Sequence, residues 1–367
     1  MKRTHRCMSL LLAAALLLAM LSGCSGTASQ NTSEPQEGDS GVRVGVILPS
    51  GRGDLSIGDA VYNAVVAAQE LSDFTFDYAE VVNASDPEYF LREFADSGDY
   101  DLIVIATYTF FDALSIVAPE YPDQKFLAWD MAGVEGDNVT FGGFLHEQTT
   151  FIAGAFAALL DPYGSITING TEYNWTPSGK FGCIIANDTP IENQIDCGFQ
   201  AGVKYIDPSY TCSRGYTGSY SDQAKAKELG LSMYDSGINF IVMGAGGASY
   251  GIVEASKELG GGRWAIGFDQ DNNGVDVHVI GSALNDTSQA LAVSIADFVN
   301  EGVFNSGETR LFGYVTDSQS LKLQEGIEVP DEVMTQLEKI IAAVSSGEIQ
   351  VPTTLEEVDA FTLQFQG

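Results

Sequence analysis

The chain has 367 residues, of which 45% are hydrophobic and 10% aromatic, enough apolar material for well-packed cores. It carries 50 Asp and Glu against 17 Lys and Arg, a formal net charge of −33 at pH 7. A surface this acidic repels nucleic acid and anionic lipid. Since the sequence after residue 23 contains no Lys/Arg cluster that would form a local basic pocket, we expect no nucleic-acid partner.

The amino-terminal segment has the three parts of a secretory signal peptide. Three basic residues among the first six precede an apolar run at 8–20, and small residues stand directly before Cys24. The run is shorter than the roughly 18–20 apolar residues of a membrane-spanning helix. Leu-Ser-Gly followed by cysteine resembles the bacterial lipoprotein box, which implies a signal peptide at 1–23 and a lipidated Cys24. The protein would then be held by lipid alone at the extracytoplasmic face of the cell membrane, and the alternative is an ordinary secreted protein with a chance cysteine.

Length and periodicity predict two lobes. Residues 24–41 carry the candidate lipidated cysteine and a Ser- and Gly-rich stretch without apolar periodicity, which indicates a flexible linker. About 340 residues remain after the signal peptide, more than the roughly 250–300 at which a single core usually stops growing. Their formal charge is −36, because three basic residues leave with the signal peptide.

From residue 42 onward, short apolar runs alternate with segments of helical periodicity. The predicted strands are 42–48, 74–82, 101–106, 125–129, 181–186, 240–243, 263–268 and 277–283. The predicted helices are 57–71, 88–96, 111–118, 147–160, 191–205, 222–234, 252–259 and 287–300, and an amphipathic helix is plausible at 333–344. This alternation predicts an α/β fold of two doubly wound parallel-sheet lobes joined by a hinge. Lobe 1 is expected at 42–145 with part of 275–305 returning to it, and lobe 2 at 146–274 with part of 306–367.

The carboxyl ends of these strands are acidic or rich in glycine. Ligands of open α/β sheets bind beyond such ends, so Asp54, Asp130 and Asp269 are predicted to converge on a cleft between the lobes. The turn at 244–249 lacks the third glycine of a dinucleotide fingerprint, and no P-loop is present, so no cofactor is expected.

Cysteine and histidine are too scattered to indicate a metal site. His146 and His278 lie far apart in sequence, and no Cys-x-x-Cys pair occurs. The remaining Cys183, Cys197 and Cys212 permit one disulfide with one thiol left over, or reduced core cysteines.

Six short motifs resemble one known family when taken in order. They are 118–126 closed by Asp130, Glu147 with 151–154, 198–203, 220–225, 244–251 and 266–271. They resemble the basic membrane protein family, substrate-binding lipoproteins of ABC transporters similar to the purine nucleoside receptors, and the resemblance covers roughly residues 42–305.

The resemblance implies a type I periplasmic-binding fold that closes on a nucleoside, an ABC permease and ATPase as partners, a monomer, and binding without catalysis. It implies ligand contacts from Asp54 and Asp130, and from Asp269 to the ribose hydroxyls, because carboxylates accept strong hydrogen bonds. Aromatic side chains would stack on the base. The other predicted contact residues are Ser56, Ile57, Tyr108, Trp129, Tyr220, Gly244, Gly246 and Ser282.

The chain departs from the family pattern where the ligand would bind. Ile57 stands in place of a stacking phenylalanine, and Gly58 removes an amide. The lysine common after the last-strand serine is absent, and Asn285 follows Ser282. The candidates for the missing aromatic wall are Tyr108, Trp129, Tyr220 and Phe268. A nucleoside other than a purine, or another small polar ligand, therefore stays open.

Two other functions are compatible with the same residues. Two carboxylates flanking a bond would suffice for a surface nucleoside or glycoside hydrolase. A ligand-sensing lipoprotein that reports to a signalling partner is the other alternative. Each aspartate also has a structural interpretation: Asp54 as a helix cap, Asp130 in a turn, and Asp269 with Asp271 in a calcium loop that lacks the EF-hand pattern.

Overall fold

The protein is described by a computed structural model that covers residues 41–53, 57–81 and 86–361. The strands of this part are β1 (Arg43–Leu48), β2 (Thr75–Glu80), β3 (Leu102–Ala106), β4 (Phe126–Trp129), β5 (Val139–Phe144), β6 (Ser165–Ile168), β7 (Thr171–Asn174), β8 (Lys180–Ile185), β9 (Thr211–Tyr216), β10 (Phe240–Gly244), β11 (Trp264–Asp269), β12 (Val279–Asn285), β13 (Thr309–Phe312), β14 (Gln319–Leu323) and β15 (Ile327–Glu328). The α-helices are α1 (Ile57–Leu71), α2 (Pro87–Ser97), α3 (Phe111–Val117), α4 (His146–Leu160), α5 (Pro190–Ile206), α6 (Gln223–Asp235), α7 (Tyr250–Leu259), α8 (Thr287–Glu301), α9 (Asp331–Ser345) and α10 (Leu355–Ala360).

Two six-stranded sheets carry the fold. The first has the order β13-β5-β4-β3-β1-β2 and the second the order β14-β12-β11-β10-β8-β9. All pairs are parallel except β12 with β14. A small antiparallel sheet, β15-β6-β7, accompanies them. The predicted class, two doubly wound lobes of the type I periplasmic-binding kind, is confirmed.

The strands are buried because parallel strands are covered by helices on both faces and read as continuous apolar runs. All five residues of β3 are buried. Separate apolar clusters lie on the two faces of each sheet. Helix α4 is buried at every position except Gln148, since α5, α9 and the second sheet surround it.

The chain passes between the two sheets at three places. Leu145 joins β5 to α4, Asp286 joins β12 to α8, and residues 313–318 join β13 to β14. Helix α8 packs on α1, and β13 pairs with β5, so residues 287–312 lie with the first sheet. Strand β12 stays in the second sheet as far as Asn285. These three crossings place the carboxyl ends of β4, β11 and β12 near one another.

The carboxyl-terminal region is helical as the periodicity at 333–344 predicts. Helix α9 packs on α4, and α10 packs on α5. The sequence prediction does not include strands β5, β6, β7, β9, β13, β14 and β15. Four of them, β6, β7, β13 and β15, have four residues or fewer, which is too short for a clear periodic pattern. Across the described ranges, every helix is too short or too polar to traverse a bilayer.

Candidate functional site

Backbone strain marks the carboxyl ends of three parallel strands. Thr107, Asp130 and Asp269 have φ of 78°, 51° and 70°, in the left-handed region that L-residues rarely adopt. They lie at the ends of β3, β4 and β11. Such conformations cost on the order of 1–3 kcal/mol each and persist where the surroundings enforce them, typically at ligand sites.

Two of the predicted carboxylates lie beside one histidine. Asp130 Oδ1, from the first sheet, is 3.4 Å from His146 Nε2 at the start of α4. His146 Nδ1 is 3.2 Å from Asn285 Nδ2, and the same amide nitrogen donates to Asp269 Oδ1 at 3.0 Å. Carboxylates of both lobes are therefore linked through two residues that stand next to the chain crossings.

One backbone carbonyl determines which atoms of this cluster donate hydrogen bonds and which accept them. Leu145 O accepts only, so Gln319 Nε2 donates to it at 2.9 Å and also to Asn285 Oδ1 at 3.0 Å. Thr149 Oγ1 donates to the same Asn285 oxygen at 2.7 Å. The Asn285 nitrogen must then face Asp269 and His146, which makes His146 Nδ1 an acceptor.

Burial and neighbouring charge shift the pKa of both ionisable partners. Asp269 keeps some solvent exposure as a residue, yet packing around its carboxyl group is the largest influence and raises its pKa. The charge of Asp130 raises it further, and the Asn285 hydrogen bond opposes the rise. For His146, burial is the largest influence and lowers the pKa, but contact with Asp130 and the charges of Asp269 and Glu147 outweigh it, and the net pKa is raised.

These charges and the hydrogen bonds favour different forms of His146. The carboxylates favour the imidazolium, whereas the Asn285 donor requires an unprotonated Nδ1. Because the Leu145 carbonyl can only accept, the donor and acceptor of each hydrogen bond in the cluster are fixed. The resulting directions are those of neutral His146. Because its pKa is raised, His146 holds the imidazolium form to a higher pH than an ordinary imidazole does.

The predicted aromatic contacts lie in different parts of the structure and differ in burial. Tyr108 lies at the end of β3, half-buried and stacked on Phe111 with ring centroids 4.9 Å apart. Tyr220 lies against the glycine-rich turn, where a Cβ on Gly246 would come within 3.3 Å of its ring. Trp129 is fully buried in the core against Phe144, because β4 directs it inward.

The remaining predicted contacts have mixed positions. Gly244 ends β10 in a buried position, and Ile57 opens α1 half-buried against the first-lobe core. Ser282 is fully buried and bonds Asn272 and Asn273 through its hydroxyl, which gives it a structural role. Asp54, Ser56 and Cys24 lie outside the described residues.

Sequence reasoning did not identify His146, Thr149 and Gln319 as members of the cluster. His146 has one usable signal, since it is a lone histidine directly before the predicted helix at 147–160. Asn285 is visible only as a departure from the family pattern. Thr149 and Gln319 give no signal, because their role depends on a contact made 136 and 34 residues away.

Other parts of the described chain are less suited to a ligand. A groove of about 380 Å³ at Phe141, Phe298 and Arg310 lies toward the amino ends of the first sheet, away from the strand ends at which such folds bind ligands. Another, of about 480 Å³, lies at Arg214 and Tyr216 and contains no predicted contact. Within the described ranges, no three His, Cys, Asp or Glu side chains are grouped so that they could hold a metal ion. Cys183, Cys197 and Cys212 carry free thiols.

The fold and the cluster define a class of protein. Two doubly wound lobes, three chain crossings and polar side chains at facing strand ends are the architecture of a two-lobed solute-binding protein.

Comparison with known proteins identifies the family. The model of the PnrA-like ABC transporter substrate-binding proteins, the Bmp family, matches residues 41–354, and the chain belongs to this family. Basic membrane protein A of Borreliella burgdorferi is 26% identical over 93% of this chain and 95% of its own length. The ABC transporter nucleoside-binding protein BmpA of Lactococcus lactis subsp. cremoris is 25% identical over 71% of this chain and 73% of its own.

A solved structure supports the same assignment. The ABC transporter solute-binding protein of Aeropyrum pernix K1 superimposes with a TM-score of 0.69 at 25% identity, covering 87% of this chain and 96% of that one. A substrate-binding protein of an ABC transporter captures a small ligand outside the cytoplasm and works with permease and ATPase subunits. The predicted family and transport class are thus confirmed.

Proposed function

We propose that this substrate-binding protein captures a nucleoside, with a purine nucleoside as the first candidate, in the cleft between its lobes. The observation that carries the proposal is the meeting of Asp130 and Asp269 at His146. A nucleoside donates hydrogen bonds at both ends, from ring or exocyclic N–H groups and from the ribose hydroxyls. Two carboxylates facing each other from different lobes are complementary to such a ligand.

The roles follow the geometry and the family resemblance. Asp269 would accept from the ribose hydroxyls, Asp130 from the base, and Tyr108 would supply a stacking face. Stacking contributes about 1–3 kcal/mol per base without reading its identity. The name of the Lactococcus lactis relative, a nucleoside-binding protein, supports the same ligand class. Asp54 and Ser56 are proposed contacts on the resemblance alone.

The test is calorimetry with adenosine, guanosine, inosine, uridine and ribose, combined with chromatography of the mixtures. We expect stoichiometric binding of at least one nucleoside and no product. Asp130→Asn and Asp269→Asn should each weaken binding about 10- to 100-fold, because a hydrogen bond to a charged group contributes about 1.5–3 kcal/mol. Release of free base would instead support a hydrolase, and binding of ribose alone would move the ligand class to sugars.

We further propose that the chain is anchored by lipid on Cys24. The proposal rests on the basic, apolar and small-residue order before that cysteine. Labelled palmitate should enter the wild type and not Cys24→Ser, which should appear in the soluble fraction. Cys212→Ser is the matched control and should be labelled like the wild type. Equal labelling of Cys24→Ser would refute the anchor.

A further inference from the structure

We propose that His146 is a positioning residue of the cleft: Asn285 holds it in one tautomer, and its single Nε2–H sets the orientation of Asp130 toward the ligand. This inference deepens the proposed function and rests on it for its effect on affinity. The tautomer itself can be observed without any ligand, so the two can fail separately.

The first step is the direction of the proton. Asn285 Nδ2 faces both His146 Nδ1 and Asp269 Oδ1, and a carboxylate oxygen can only accept. The Asn285 amide is locked in this orientation by Gln319 and Thr149, which both donate to its oxygen. A neutral imidazole that accepts at Nδ1 carries its proton at Nε2.

The second step is the target of that proton. His146 Nε2 and Asp130 Oδ1 are 3.4 Å apart, and both atoms are buried without a hydrogen-bond partner in the described ranges. An ordinary N–H···O bond is about 2.9 Å long, so a movement of about half an ångström would complete it. Hydrogen bonds of binding sites often tighten only when the ligand is bound.

As a consequence, the two oxygen atoms of each carboxylate have different partners. Asn285 already donates to Asp269 Oδ1, and the completed bond from His146 would occupy Asp130 Oδ1, which would leave the second oxygen of each carboxylate to the ligand. Asp269 Oδ2 also accepts from Gln270 at 3.2 Å. The cluster therefore fits a ligand that brings one donor to each lobe.

The groups that face His146 make this arrangement dependent on pH. Asp130 and Asp269 face it from the ends of β4 and β11, and Glu147 is the charged group of its own helix. The rings of Phe144 and Phe268 flank it at 6.1 and 5.8 Å. Protonation would place a second N–H, on Nδ1, against the Asn285 amide, which is also a donor, so the Asn285 bridge to Asp269 must rearrange.

The first experiment observes the tautomer. Histidine-selective ¹⁵N NMR of the full-length protein has only three imidazoles to resolve, and His146→Gln and His278→Gln assign them. Above its titration midpoint, His146 should show a protonated Nε2 and an unprotonated Nδ1. Asn285→Ala should lose this preference. A proton on Nδ1 in the wild type, or an unchanged tautomer in Asn285→Ala, would overturn the proposal.

The second experiment measures adenosine affinity by calorimetry between pH 6 and 8.5. The adenosine affinity of the wild type should fall at least fivefold toward pH 6. His146→Gln keeps a hydrogen-bond donor but does not titrate, so its affinity should lose this pH dependence. His278→Gln is the matched control, because His278 also pairs with an aspartate, at 2.6 Å, but lies at the opposite end of β12. It should keep the slope of the wild type.

The outcomes separate the two proposals. Binding by the wild type with the same slope in His146→Gln refutes the role of His146 and leaves the nucleoside receptor intact. Absence of adenosine binding in the wild type refutes adenosine as the ligand, and the NMR result then decides the tautomer alone.

Discussion

Asp269, a proposed ligand contact, is held in place at a cost to the stability of the fold. It combines a left-handed backbone, a raised pKa and proximity to the like charge of Asp130. The strained backbone destabilises the residue, and burial and the charge of Asp130 destabilise its ionised form. Such costs are typical of a residue kept for binding, which agrees with the proposed ligand contact. Residues kept for function commonly reduce stability, so removing the charge of Asp269 is expected to stabilise the protein.

We therefore expect Asp269→Asn to raise the melting temperature at pH 7 while it weakens ligand binding. The folded-state pKa of Asp269 lies above its ordinary value of 3.8, so the folded state binds the proton more tightly than the unfolded one. The cost of the ionised group is absent below pH 3.8 and grows as pH rises through the folded-state pKa. Asp269→Asn should therefore raise the free energy of unfolding by about 1 kcal/mol at pH 7, and this increase should shrink as the pH falls toward 4. Thermal unfolding at several pH values measures it.

Asp271→Asn is the matched control for this substitution. Asp271 stands two residues away, and its pKa is lowered: burial acts to raise it, but the salt bridge with Lys322 outweighs that effect. Its ionised form is therefore stabilising, and Asp271→Asn should leave the melting temperature at pH 7 unchanged or slightly reduced. If both substitutions lowered it equally, the proposed cost at Asp269 would be wrong.

Helices α4 and α5 show that part of the family resemblance is a packing motif. A Cβ on Gly202 would lie 2.0 Å from Phe151 O, and one on Gly154 would lie 2.3 Å from Phe199 O. The two helices thus meet backbone to backbone. Since α4 begins at His146, this contact also sets the position of the histidine in the cleft.

Gly202→Ala should destabilise the protein by about 1–3 kcal/mol, since the added methyl group must push two packed helices apart. Chemical denaturation measures the loss. Because His146 would move with α4, nucleoside affinity should fall as well, even at temperatures where the variant stays folded.

Gly274→Ala provides the comparison, because a Cβ there meets nothing within 4 Å. Its stability should remain within about 0.5 kcal/mol of the wild type. A Gly202→Ala protein as stable as Gly274→Ala would show that the helices can separate without cost.

At the scale of the whole molecule, the excess of acid is the dominant feature. A net charge of −33 produces repulsion throughout the folded protein, and only a minority of the 50 acidic residues can pair with the 17 basic ones. Salt screens such repulsion over about 10 Å at 0.1 M.

We expect the melting temperature to rise by about 2–4 °C between 20 and 300 mM NaCl, the shift that about 1 kcal/mol produces in a domain of 150–250 residues. KCl at equal ionic strength should act alike, because screening depends on ionic strength and not on the cation. A melting temperature that falls with salt would mean that attractive ion pairs dominate instead.

The sequence by itself determined the alternation of strands and helices, the two-lobed class and the acidic strand ends. Apolar periodicity indicates which residues of a single helix or strand are buried. In a parallel sheet the carboxyl ends of the strands share one edge, so residues at strand ends, such as Asp130 and Asp269, lie at that edge of their sheets. Local pattern could not tell which way Trp129 faces at the end of its strand, and it lies in the core.

Only the tertiary structure decided how the cleft is assembled. His146 and Asn285 meet across 139 residues of sequence, because two separate crossings between the lobes run side by side. The tautomer of His146 depends on Gln319, which arrives with a third segment. No local pattern encodes these contacts, since they arise from the packing of complete lobes against one another.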